Sequence, residues 1–147
     1  MEQTVQKITY GMNIEQAVTA LGNQLDARAC GIPARFSFHW AGYRFRGTLT
    51  SLDRSKGEIE VTARLGVLPF TAENAALRQK GMDVLNRCEN LNNVRFRVTS
   101  SGEILCAAST IFESKISAVP VAQALTVTLL NLRKHLKHFD GLLIPVS

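Results

Sequence analysis

The sequence predicts an α+β fold, an antiparallel sheet of about five strands with helices, in the order α-β-β-β-α-β-β-α. Three observations carry this. Apolar and polar residues alternate from Arg35 to Leu65, with two turn signals between, as a meander with one buried face requires. A second alternating pair spans Val94 to Phe112 around a Ser-Ser-Gly turn. Stretches with apolar residues at spacings of three and four precede, separate and follow these strands. Strands come in runs and do not alternate strictly with helices, which disfavours a doubly wound parallel sheet.

The first helix is expected after Asn13, a residue able to accept from free backbone N–H groups at a helix start. Ile14, Ala17, Val18, Leu21 and Leu25 fall on one face, and Gly31 with Pro33 ends it. The meander follows. Phe36, Phe38 and Trp40 share one parity, with Arg35, Ser37 and His39 on the other. After an Ala41-Gly42 turn, Tyr43 and Phe45 alternate with Arg44 and Arg46, and the strand extends toward Leu52. Beyond the Asp53–Gly57 turn, Ile59, Val61, Ala63 and Leu65 alternate with Glu58, Glu60, Thr62 and Arg64.

Leu68-Pro69-Phe70 closes the meander. A second helix starts at Thr71 or Glu73, with Leu77, Val84, Leu85, Cys88 and Leu91 as its stripe. Gly81 inside it costs about 1 kcal/mol relative to Ala and marks a close packing contact. Asn92-Asn93 stops the helix, and the hairpin of Val94–Val98 and Glu103–Phe112 follows. The last helix is the strongest. Pro120 sits in its first turn, and Val121, Leu125, Leu129, Leu132, Leu136 and Phe139 form its stripe. Gly141 and a short tail to Ser147 complete the chain.

The 147 residues are the usual size of one domain, so residues 1–147 read as a single unit. Hydrophobic residues make up 46% and charged residues 20%, which excludes wholesale disorder. The formal charge is +5, from 17 Lys+Arg against 12 Asp+Glu; it favours solubility and acidic partners without establishing either. Cys30, Cys88 and Cys106 are odd in number and widely spaced, so buried thiols in a reducing compartment are expected in place of a disulfide framework. The N-terminus lacks a signal-peptide core, and Val119–Leu132 is too short and too polar to span a membrane. The expected location is the cytoplasm.

The search for chemistry finds no phosphate-binding glycine loop, no nucleophile elbow and no catalytic cysteine signature, so the expectation is a non-enzyme with no cofactor. His135 and His138, one turn apart and followed by Asp140, are a candidate metal pair; a solvated helix end is the preferred reading, since a closed site needs four ligands. Glu58 and Glu60 read as exposed sheet carboxylates more readily than as an acid–base pair. The most unusual feature is basic. Arg35, Arg44, Arg46, Arg64, Arg95 and Arg97 all take the polar parity of their strands and would project from one face. The planar fork of arginine suits carboxylate and phosphate. A solvated face with Glu58 and Glu60 as cross-strand partners is the plainer alternative. Single-stranded nucleic acid is not favoured, because Phe36, Phe38, Trp40, Phe45 and Phe96 take the opposite parity and are withheld from stacking.

Two resemblances arise. Arg44-Phe45-Arg46-Gly47 and Asp53–Gly57 superficially resemble the Arg and D-x-S-x-x-G elements of the PilZ family, but the second is one residue short and the helix-rich remainder does not belong to a small barrel. The element order, Asn86–Asn92, Phe96-Arg97-Val98, Ser101–Ile104 and the long last helix together resemble the type III secretion chaperone-like fold, and within it the YbjN-like (bacterial sensory transduction regulator-like) family. This resemblance covers nearly the whole chain, which departs from secretion chaperones in being basic. It implies a bacterial cytoplasmic homodimer acting by protein binding, and no catalytic residues. Val127 and Leu130 lie outside the main stripe of the last helix and are the expected dimer contacts, with further contact to the monomer core as the equal alternative. The alternative function is binding of nucleic acid or another anionic ligand by the Arg face.

Overall fold

The computed structural model describes residues 5–7, 14, 18, 33–89 and 91–145. Its centre is a six-stranded sheet in the order β1-β2-β3-β4-β6-β5. The strands are β1 (Val5–Lys7), β2 (Ala34–Trp40), β3 (Tyr43–Asp53), β4 (Lys56–Val67), β5 (Val94–Val98) and β6 (Glu103–Phe112), with helices α1 (Thr71–Arg87) and α2 (Ala118–Leu136) and a 3₁₀ turn at Lys137–Phe139. The five strands β2 to β6 are antiparallel, as the alternation predicts. The sixth is a correction: β1 is a short parallel edge strand on β2, and three residues are too few to show a period. Most of the expected first helix, and Cys30 with it, lies outside the described residues; Ile14 and Val18 are helical and packed on the core.

Parity decides which face is buried. Phe36, Phe38, Phe45, Leu49, Ile59, Val61, Ile104 and Cys106 point to one side of the sheet and are nearly or wholly inaccessible. Helix α2 covers that side over β6 and β4, burying Val121, Leu125, Leu129, Leu132 and Leu136. A polar pair sits within the contact. The Thr128 hydroxyl donates to the Ala124 carbonyl at 2.7 Å, leaving its oxygen to accept from the Thr110 hydroxyl at 2.6 Å. Both hydroxyls are thereby satisfied at the helix–sheet seam.

Helix α1 begins with a single turn that breaks at Asn74, whose φ/ψ of −160/89 is not helical. The Asn74 side chain then accepts from the Leu77 N–H at 3.0 Å, so Asn74 is the true N-cap of the longer segment. Gly81 makes the expected close approach: a Cβ there would stand 2.2 Å from a Leu68 methyl, and Leu68 is fully buried. The β2–β3 hairpin turns through Ala41 (φ 55) and Gly42 (φ 84), the positive pair that matches the strand twist. The C-terminal tail is not free. Ile144 and Val67 exchange backbone hydrogen bonds of 2.8 and 2.9 Å, so the tail adds one bridge at the end of the interior strand β4. Among the described residues no helix is long and apolar enough to cross a membrane.

Candidate functional site

The face opposite α2 carries the arginines. Registers place them in rows. Arg46 of β3 pairs with Thr62, Thr62 with Ala107, and Ala107 with Arg95 of β5. One step along the same strands, Arg64 and Arg97 both pair with Leu105, with Arg44 on the β3 side. Two arginine walls, Arg44/Arg46 and Arg95/Arg97, therefore flank a floor of Thr62, Arg64, Leu105 and Ala107. All five arginines and Thr62 are exposed, so among the described residues this region is open.

The sixth arginine stands apart. Arg35 is exposed on β2 and pairs with Thr48, but its outer-face neighbour Ser37 is only 7% accessible. The open surface thus begins at β3, and the sequence-predicted cluster of six divides into five plus one. His39 shares this parity and pairs in register with Arg44.

Ion pairing within the face is uneven. Arg64 Nε lies 2.9 Å from Glu103 Oε2, and Arg95 Nη2 lies 3.3 Å from Glu60 Oε2. Among the described residues Arg35, Arg44, Arg46 and Arg97 have no ion pair. The expected Glu partners are thus found for one arginine through Glu60, while Glu103, which bounds β6, was not anticipated as the partner of Arg64. Its signal lay in the β4–β6 pairing, which no local pattern reveals.

A concavity of about 1120 Å³ spans this region and wraps around the β5 edge. Arg44, Arg46, Thr62, Arg64, Arg95, Arg97, Leu105 and Ala107 line its open side, while Met82, Leu85, Phe96 and Val98 line the helical side. Successive residues of one strand face opposite ways, and Arg95 to Val98 all line the volume, so it joins two shallow depressions around an edge strand.

Other sequence candidates do not converge. The His135 and His138 rings are 6.2 Å apart, and His135 meets the edge of Phe96 at 6.5 Å. Burial, helped by His138 and Lys134, lowers the His135 pKa. Among the described residues no group of three His, Cys, Asp or Glu is placed to hold a metal ion. Cys88 and Cys106 are buried free thiols, as expected. Burial raises both, pushing Cys106 up to about 12, so its thiol is protonated at neutral pH.

Val127 and Leu130, the expected dimer contacts, lie on the outward side of α2 at 46% and 38% exposure, joined by Val119 at 66%. Val119 and Leu130 are about three turns apart at 3.6 residues per turn and so lie along one line. Sequence reasoning missed Val119 because it precedes the periodic stripe. Comparison with known proteins gives no match to a family model, a curated protein or a solved structure.

Proposed function

We propose that this chain is a non-catalytic protein-binding module of the chaperone-like kind, working in the bacterial cytoplasm as a homodimer. The observation that supports it is the exposed apolar patch on the outward side of α2. One side of the helix is already buried on the sheet, yet Val119, Val127 and Leu130 remain in water. Apolar side chains grouped on one side of a helix favour a second copy of the same surface, because a two-fold axis makes one patch complementary to itself. The expected outcome for Leu130→Glu is conversion of a dimer to a folded monomer, read by light scattering. Retention of the wild-type mass would remove this helix from the interface.

A second reading is favoured by a separate observation, the unpaired arginines of the open face. It makes that face a binding surface for an anionic ligand. Alanine at Arg44, Arg46 and Arg97 together is expected to abolish salt-sensitive binding of such a ligand, since charge neutralised at an exposed surface is what salt competes with. Binding unchanged by the triple substitution would exclude those side chains.

A further inference from the structure

We infer that the open sheet face is a docking channel for an acidic amphipathic helix of a partner protein. This rests on the second reading above, that the Arg face binds an anion, and adds the shape and chemistry of the occupant.

The dimensions point to a helix. The β3 and β5 walls are three strand spacings apart, about 14 Å at 4.7–4.9 Å each. A helix with its side chains is about 10–12 Å across and fits between them. Within each wall, Arg44 and Arg46, or Arg95 and Arg97, are two residues apart on one strand face, about 6.8 Å. Carboxylates at i and i+4 of a helix are about 6 Å apart along its axis, and so match the pair. In the floor between the walls β6 supplies half-buried Leu105 and Ala107, and β4 supplies exposed Thr62 and Arg64, the latter held 2.9 Å from Glu103. The complement of an apolar strip on β6 between two basic walls is an apolar stripe flanked on both sides by Glu or Asp. An extended strand cannot present that pattern, since its side chains alternate between the floor and the solvent.

Charge and chemistry also separate a peptide from nucleic acid. The floor holds no aromatic ring for base stacking. Beyond Thr62 on β4 the channel meets Glu60 and then Glu58, and beyond Leu105 on β6 it meets Glu103. A continuous polyphosphate running along it would confront these carboxylates, whereas a helix of about two turns, about 11 Å long, stays over the two arginine rows. The two walls are not equal. Arg44 and Arg46 have no ion pair among the described residues, while Arg95 already contacts Glu60. The β3 wall should therefore contribute more to binding.

The test uses the full chain and fluorescence anisotropy with four probes at one salt concentration. They are a designed helical peptide with an Ala/Leu stripe flanked by Glu at i and i+4, the same composition scrambled, a single-stranded oligonucleotide and a short duplex. The designed helix is expected to bind at least about tenfold more tightly than the scrambled peptide. Arg44→Ala with Arg46→Ala should weaken it about tenfold or more, and Arg95→Ala with Arg97→Ala by less. Leu105→Glu should abolish it. Arg44→Glu with Arg46→Glu should regain affinity for a peptide whose Glu residues on one flank are replaced by Lys, an outcome a misfolded variant cannot give. Equal binding of the two peptides would overturn the helix while leaving the anionic-ligand reading intact. Tighter binding of either nucleic acid would overturn the helix in favour of that partner. No binding by any probe would overturn both.

Discussion

Phe45 and Arg46 are neighbours on β3 and live in opposite environments. The Phe45 ring is wholly buried, 5.3 Å from Phe38 and 5.7 Å from Trp40. The Arg46 side chain stands in solvent beside Thr62. The same contrast separates Ile59 from Glu60 on β4 and Val94 from Arg95 on β5. One face of the sheet therefore supplies stability through packing, and the other holds a charged surface that folding does not consume. The separation frees the open face to serve binding, because its side chains are not needed to hold the strands together. The largest effect that would break this comparison is on β3 itself. Phe45→Ala is expected to cost about 3–5 kcal/mol in urea unfolding. Arg46→Ala should stay within about 0.5 kcal/mol. Comparable losses at the two positions would mean that the faces are not divided in this way.

A second, smaller effect tests how tightly the covered face is packed. Gly47 follows Arg46 and faces the core, where a Cβ would stand 2.1 Å from the Phe36 ring. Phe36 is 2% accessible and lies against Phe38, so the ring has little room to withdraw. Gly47→Ala should cost about 1–3 kcal/mol by overpacking. Adding Phe36→Leu should recover part of that loss, because it removes the atoms in collision. Thr48→Ala, one residue on and on the outer parity, should change stability by less than about 0.5 kcal/mol. Additive losses in the Gly47→Ala, Phe36→Leu pair would show that the contact is not the cause.

Much of this division was legible in the sequence because period-two alternation fixes parity, and parity fixes the face. The stripe of α2 was legible for the same reason at a longer period: Val121, Leu125, Leu129, Leu132 and Leu136 are all buried, as is Phe139 in the 3₁₀ turn that follows. What alternation cannot give is which strand lies beside which. That β6 and not β5 adjoins β4 depends on long-range packing, and it decides that Arg64 meets Glu103 and that Leu105 and Ala107 lie between the walls. The sequence likewise put Arg35 with the others, since nothing local reports that Ser37 is covered. Strand β1 and the Ile144 bridge are too short for any period, and the break at Asn74 shows only as a side chain competing for a backbone N–H. The six arginines were found from sequence; the arrangement of five of them into a channel was not.

The smallest effect concerns β5, where Phe96 and Arg95 repeat the contrast at the sheet edge. His135 stands edge-on to Phe96 at the rim of the covered face, and burial lowers its pKa, with His138 and Lys134 adding to the shift. The folded chain thus holds this proton less tightly than the unfolded chain, whose value is the ordinary 6.5. Where the unfolded state binds more protons, stability rises with pH. The His135 contribution is complete above about pH 6.5 and declines as the pH falls from there toward the lower folded value. Acid titration of carboxylates overlaps this window, so the readout is the difference between wild type and His135→Gln in urea unfolding from about pH 7.5 to 5. The substitution should flatten part of the acid-side slope, and Arg97→Gln, on the open side of β5, should leave it unchanged. An identical slope in wild type and His135→Gln would show that the rim is as well solvated as the open face, and would move the boundary between the two faces inward to Phe139.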